Sequence, residues 1–404
     1  MSSLIRYGVL LIGLSVAAWI GFTTYTYFFS ETAPTLAIAG LEDGRCYAGD
    51  VQCTISGKDA YKVSTLSLYL DDKPLAENFK INKKEFKHTF SIPTKTLSHG
   101  NHKLHVEIQN GTFNKSKTSQ DVSFCVDNLP LQAAFVKGDT DAKVFQGRTL
   151  HIQFQVNKEM KEAYAKALSK TYPCFPESAG SLIYECFIPT ECDALPNEYP
   201  LTIDITDRVG NTIHLDSKFQ VVVFPFKKQN LTFDAQKIKA ENEVGLSEKH
   251  LEAEIEDLTH KSPAKKLWQG AFVTPTEIKE QRQITTDFGV IRTTQERGLR
   301  QHKALDIYNT PRGVVWAPQD GIVVLKNRYA HSGNTIAIDH GYGILSLIFH
   351  LDSFANIEVG EKIKRGNPVG YLGKTGYATG YHVHWEMRVN NIAVDPMQWT
   401  KHDF

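Results

Sequence analysis

Near the C-terminus, the stretch TGYHVHWE (Thr379–Glu386) places His382 and His384 one residue apart. Upstream, QHKALDIYN carries His302 and Asp306 in an H-x-x-x-D arrangement, and the apolar run LSLIFHLD ends on His350. Imidazole and carboxylate are the donor types of catalytic zinc sites, which take three protein ligands and keep a fourth position for water. These segments offer two imidazoles and a carboxylate for that purpose and leave two imidazoles over. A spare imidazole can act as general base or stabilise a developing oxyanion. Taken singly, each motif reads as surface or satisfied core histidines. It is their joint occurrence, in order, that points to a metal centre.

Such a centre needs rigid elements beneath it. Side chains alternate across a strand, so His382 and His384 share one face while Val383 and Trp385 turn to a core. Glu386 shares the histidine face. It is read chiefly as a structural salt-bridge or hydrogen-bond partner, with orientation of a histidine as the other role. The flanking chain, from about Trp268 to Phe404, has a mostly β pattern and no long periodic helix. GVVWAPQDGIVVLKN predicts a hairpin through Gln319-Asp320-Gly321, and NTIAIDHGYGILSLIFHL predicts two strands joined at His340–Gly343. Gly366, Gly370, Gly373, Gly376 and Gly380 mark tight loops. His331, in a polar loop, and His340, in a turn, are read as structural or solvent-exposed.

The resulting fold class is mainly β, with an N-terminal transmembrane helix, two β-sandwich-like domains, a linker helix and a C-terminal antiparallel β domain. The expected division is 1–33 for the cytoplasmic tip and anchor, 34–128 for an immunoglobulin-like β domain, 129–228 for a second β domain, 229–266 for a helical linker and 267–404 for the last domain. STLSLYLDDKPL alternates and turns at Asp71-Asp72. KEMKEAYAKALSK predicts a short helix inserted in the second β domain. In the linker, Leu251, Ile255 and Leu258 have helical spacing, Ser247 is a suitable N-cap, and Pro263 ends the helix. His99, His102 and His105 lie within seven residues but are assigned to a turn and a solvated strand edge.

Tyr7–Phe29 runs 23 residues without a charge, enough to span a bilayer core. Arg6 before it favours a cytoplasmic N-terminus, and the run is longer than the apolar region of a cleaved signal peptide. The expectation is a single-pass anchor in the inner (cytoplasmic) membrane, with the bulk of the chain periplasmic or extracellular. Six cysteines fit an oxidising compartment, with local bridges such as Cys46–Cys53 and a second pair among Cys174, Cys186 and Cys192. Lys+Arg and Asp+Glu both number 45, so no basic field exists for nucleic acid, and no such partner is expected.

The last ~135 residues resemble the M23 (LytM-type, lysostaphin-like) zinc endopeptidase domain, which carries H-x-x-x-D, then a His before Leu at a strand end, then H-x-H. TDFGVIR, WAPQDGIVV, IDHGYG and GKTGYATGYHVHWE accompany these motifs here. The resemblance implies one Zn2+ per chain, held by His302, Asp306 and His384. It leaves the catalytic roles to His350 and His382, with the division between them open. It further implies hydrolysis of peptide bonds in peptidoglycan stems or cross-links. Independently of the resemblance, the β domains are read as candidate sites for wall glycan or envelope proteins. A non-catalytic regulator that activates another wall hydrolase is the alternative. One departure is visible: the family usually has Gly two residues after the first His, where this chain has Ala304.

Overall fold

The computed structural model describes residues 2–29, 32–137, 142–231, 235–294, 298–402 and 404. They form two compact units, Met1–Pro130 and Leu131–Phe404, and strands dominate both.

The first unit opens with helix α1, Ser2–Phe29. Its Tyr7–Phe29 stretch has a mean hydropathy of 1.6 and is unburied, so it is long and apolar enough to cross a membrane. A six-stranded sheet follows. Its long hairpin, Val51–Leu70 with Lys73–Ile92, turns at Asp71 and Asp72, with φ of 48° and 63°. Left-handed backbone at both turn residues matches the twist of the flanking strands. The expected Cys46–Cys53 bridge is corrected: Cys46 bonds Cys125, 79 residues away. Cys46–Tyr47 pairs in parallel with Cys125–Val126, while Cys53 points into the core and is fully buried. The second expected pair does not form either. Cys174, Cys186 and Cys192 are thiols, and Cys174 and Cys186 hydrogen-bond each other.

In the second unit, residues 131–222 build a five-stranded and a four-stranded sheet around a core that includes Ile152, Phe154, Ile203 and Phe219. The expected helix at KEMKEAYAKALSK is instead the strand Met160–Ala167. Ala163, Ala165 and Ala167 are buried at a period of two, and Leu168 and Ser169 turn with φ of 51° and 60° into Lys170–Pro173. Tertiary pairing here overrides helix propensity. This region shares its core with the C-terminal region. Phe187 packs among Trp268, Trp399 and Phe404, Phe175 stacks on Tyr342 at 4.1 Å, and Arg148 pairs with Asp395 at 3.0 Å.

Between them lie two helices where the sequence pattern announced one: α2, Ala235–Val244, and α3, Glu248–Lys261. The α2 segment is too polar to show an apolar stripe. Ser247 caps α3 by accepting the His250 backbone N–H.

The main C-terminal sheet runs Ile284–Thr286, Ala304–Ile307, Val383–Val389, Ile344–Leu351, Gly333–Asp339, Gly321–Tyr329 and Lys362–Ile363 side by side. Ile392–Val394 adds to Val383–Val389. The expected hairpin through Gln319–Gly321 is corrected. Val314–Trp316 pairs with Pro368–Tyr371 in a separate small sheet, and Gly321–Tyr329 pairs with Gly333–Asp339. At the end of the first of these segments, Ala317 N–H bonds Asn367 rather than the following strand. One face of the main sheet buries Leu305, Ile336, Ile348, Val383 and Trp385. The other packs Leu325, Ala337, Leu345, Leu347 and Phe349 against Leu251 and Ile255 of α3.

Candidate metal centre

His384 and Asp306 sit directly opposite each other on neighbouring antiparallel strands. On the Asp306 strand, Leu305 and Ile307 turn to the core, which sends Asp306 to the other face. On the His384 strand, Val383, Trp385 and Met387 are fully buried in that same core, which sends His384 to the face of Asp306. His302 precedes its strand and is fixed by backbone bonds, His302 N–H to Val290 O at 2.9 Å and Gly289 N–H to His302 O at 2.7 Å. Ala304 lies opposite Glu386, fully buried, and has an ordinary negative φ, so glycine is not required for the backbone at that position.

The three side chains converge. His302 Nε2 lies 3.0 Å from Asp306 Oδ1 and 3.2 Å from His384 Nδ1, and His384 Nδ1 lies 2.9 Å from the same Oδ1. Ligands at zinc distances and tetrahedral angles would stand roughly 3.3 Å apart, so the donor set and its spacing fit a divalent metal. The His302 Nδ1 bonds the Asp287 carbonyl at 3.1 Å. A carbonyl only accepts, which puts the proton on Nδ1 and a lone pair on Nε2. Arg292 Nη2 holds the other carboxylate oxygen, Oδ2, at 2.5 Å, and also donates to Thr286 Oγ1 at 2.8 Å.

The remaining two candidate imidazoles flank this triad. His382 Nδ1 bonds Gly380 O at 2.9 Å, and His350 Nδ1 bonds Thr375 O at 2.8 Å. Both therefore carry a free Nε2 lone pair when neutral. His382 Nε2 is 3.7 Å from Asp306 Oδ1. The His350 ring lies 4.8 Å from that of His382 and 5.7 Å from that of His384. Burial opposes ionisation of Asp306, but the neighbouring imidazoles of His302, His382 and His384 outweigh it and hold the carboxyl well below the usual range. Burial, reinforced by His382 and His384, holds His350 well below the ordinary imidazole value, and burial lowers His384 as well. Neutral imidazoles beside an ionised carboxylate are what metal ligation and base catalysis require.

A cleft of about 320 Å³ opens on these groups, with Tyr308, His331, Tyr377 and Tyr381 among its walls. A second cavity, about 140 Å³, is lined by Leu251 and Glu252 of α3 and also touches His302 and His384. Sequence reasoning did not single out Arg292, although its place in TDFGVIR was visible. His331, read as structural or exposed, packs edge-to-face against Tyr377 at 5.2 Å and lines both cavities. Glu386 pairs with Arg388 at 2.5 Å, and Arg388 reaches Glu252 of α3 at 2.7 Å. His340 is fully buried and bonds Asp320 O and Ser346 Oγ, away from the centre. His102 and His105 pair separately with Asp71 and Asp121, each at 2.6 Å, and His99 lies nearest Asp127 at 3.4 Å. That cluster does not converge on one point.

Residues 300–396 match the family described as Peptidase family M23. The chain is 36% identical over 99 residues to the DD-carboxypeptidase/endopeptidase Mpg of Neisseria meningitidis serogroup B, covering 24% of this chain and 22% of that protein. It is 34% identical over 122 residues to the peptidoglycan DD-endopeptidase ShyB of Vibrio cholerae, covering 30% and 28% of the two chains. The antimicrobial peptidase lysostaphin from Staphylococcus simulans, a solved structure, shares 30% identity over 25% of this chain and 44% of its own, at a TM-score of 0.24. The chain thus spans less than a third of the length of these curated relatives.

Proposed function

We propose, on the premise that residues 300–396 form a Peptidase family M23 domain, that this chain is a zinc-dependent endopeptidase acting on peptidoglycan peptides. The observation that carries the reading is the meeting of three donor atoms from two distant segments, each within 3.2 Å of the others, with two more imidazoles at the open side. His302, Asp306 and His384 are the residues that would hold one zinc. When bound, the ion supplies Lewis acidity and an acidified water at neutral pH. The chain's own groups do the rest. His350 or His382 accepts a proton at Nε2 during attack on the scissile carbonyl. The other imidazole, protonated, stabilises the negative charge that develops on the carbonyl oxygen. Arg292 fixes the carboxylate so that Oδ1 faces the histidines.

The names of the relatives supply the substrate class, peptidoglycan, with the bond in stem peptides or cross-links. In the same reading α1 is an uncleaved anchor in the inner membrane, with the N-terminus in the cytoplasm and residues 34–404 on the wall side. The first unit is then a spacer or a site for envelope partners.

The full chain purified in detergent should contain about one zinc by elemental analysis and cleave cross-linked wall peptides. His384→Ala should lose both metal and cleavage. Full zinc occupancy in that variant would remove the ligand assignment, and metal without cleavage in the wild type would remove the enzyme. Residues 131–228 share a core with the peptidase through Phe187, so the positioning role of the β regions is tested by deleting 34–130 alone.

A further inference from the structure

We propose that Asn334 and Thr375 are positioning residues that hold a left-handed β-bulge at His350, and that this bulge delivers the His350 imidazole to the centre. The inference rests on the peptidase reading above. Along the strand Ile344–Leu351, Leu345, Leu347 and Phe349 face α3, while Ile344 and Ile348 face the opposite core. His384 lies opposite Phe349 and stacks on its ring at 4.8 Å, so the centre is on the Phe349 face. Strict alternation would turn residue 350 away from it. The register breaks at this point. Asn334 pairs with Leu351 and Ile336 with Ile348, so Thr335 opposes two residues, Phe349 and His350. His350 takes a φ of 63°, a conformation that costs a bulky residue about 1–3 kcal/mol. Parity inverts: Leu351 joins Ile348 in the core, and His350 swings toward His382 and His384.

The surrounding bonds over-determine this geometry. His350 N–H donates to Ser332 O at 2.8 Å. Asn334 Nδ2 donates to Leu351 O and Asp352 O, both at 3.0 Å. Thr375 Oγ1 donates to Leu351 O at 2.8 Å and accepts Asn334 N–H at 2.9 Å, while the Thr375 carbonyl receives the His350 ring. The close approach needs Gly373, where a Cβ would stand 2.2 Å from Asp352 N.

The test uses the full chain in detergent with zinc supplied, comparing Asn334→Ala, Thr375→Val and Thr375→Ser with wild type. The first two should lose about ten- to hundredfold in kcat, with KM and bound zinc within about twofold. Thr375→Ser, which restores the hydroxyl, should recover most of the loss. In histidine-selective 15N NMR, the slowly exchanging Nδ1–H assigned through His350→Gln should persist in wild type and Thr375→Ser and vanish in the other two. Unchanged kcat in Asn334→Ala and Thr375→Val, or parallel loss of zinc and KM with kcat, overturns the proposal. If the wild type cleaves nothing, the peptidase reading fails, and the NMR signal alone decides on the bulge: its persistence in both variants overturns it.

Discussion

Asp306 is pulled in two directions at once, by Arg292 on Oδ2 and by two imidazoles on Oδ1. Arg292 thereby orients the carboxylate through the oxygen opposite the one the histidines contact. Removing such a partner commonly weakens metal affinity by about ten- to hundredfold. Arg292→Leu should show that loss in a competitive zinc-chelator titration, and affinity within about twofold of wild type would mean the guanidinium contributes only charge balance. His350→Gln and His382→Gln make the complementary case. Each should keep its zinc and lose at least about a hundredfold in kcat, the usual contribution of a positioned proton-transfer group. Elemental analysis beside a cleavage assay distinguishes these roles from ligation.

At the scale of elements, the strands are stiff because both faces are covered. Ile255 of α3 is fully buried against the sheet, so Ile255→Ala should cost about 2–4 kcal/mol, read as a lower denaturant midpoint. The turn between Gly333–Asp339 and Ile344–Leu351 offers a pH test. Burial drives the His340 pKa down to about 4, so the folded state keeps this ring neutral where the unfolded chain protonates it. The unfolded state then binds the extra proton, and stability must fall as pH drops below ~6.5 toward the folded value. The loss attributable to this ring is about 2 kcal/mol at pH 5 relative to pH 8. His340→Gln should flatten that part of the stability profile; identical profiles for variant and wild type would contradict it.

For the whole molecule, the covalent cross-link belongs to the first unit only, closing a separation of 79 residues. A loop of that length stabilises by about 4 kcal/mol through the entropy of the unfolded chain. Scanning calorimetry of the full chain with reductant should therefore move the transition of Met1–Pro130 downward and leave that of Leu131–Phe404 in place. A shift of both together would indicate cooperative unfolding of the two units. In the second unit, Phe187→Ala should destabilise the core around Trp268 and Trp399 by about 3–5 kcal/mol although residue 187 lies outside the matched region; an unaltered unfolding midpoint of that unit would refute the shared core.

Local patterning determined a good deal. The period of two put His382 and His384 on one face and Val383 and Trp385 in the core, and the unbroken apolar run before Phe29 marked a span-length helix. The Asp71-Asp72 turn, the Ser247 cap and the mainly β class follow from short-range rules of the same kind. What only tertiary structure decided depends on partners far away in the chain. Cys46 meets Cys125 because a parallel pairing brings them together, a relation no spacing encodes. The alanine-rich segment at 163–167 becomes a strand because its neighbours supply the ladder. His350 reaches the centre because Asn334 and Thr375, from two other segments, stabilise a backbone conformation that the residue would not adopt unaided. Alternation and capping are properties of adjacent residues, whereas register, bulges and cross-links are settled by which surfaces can be buried together.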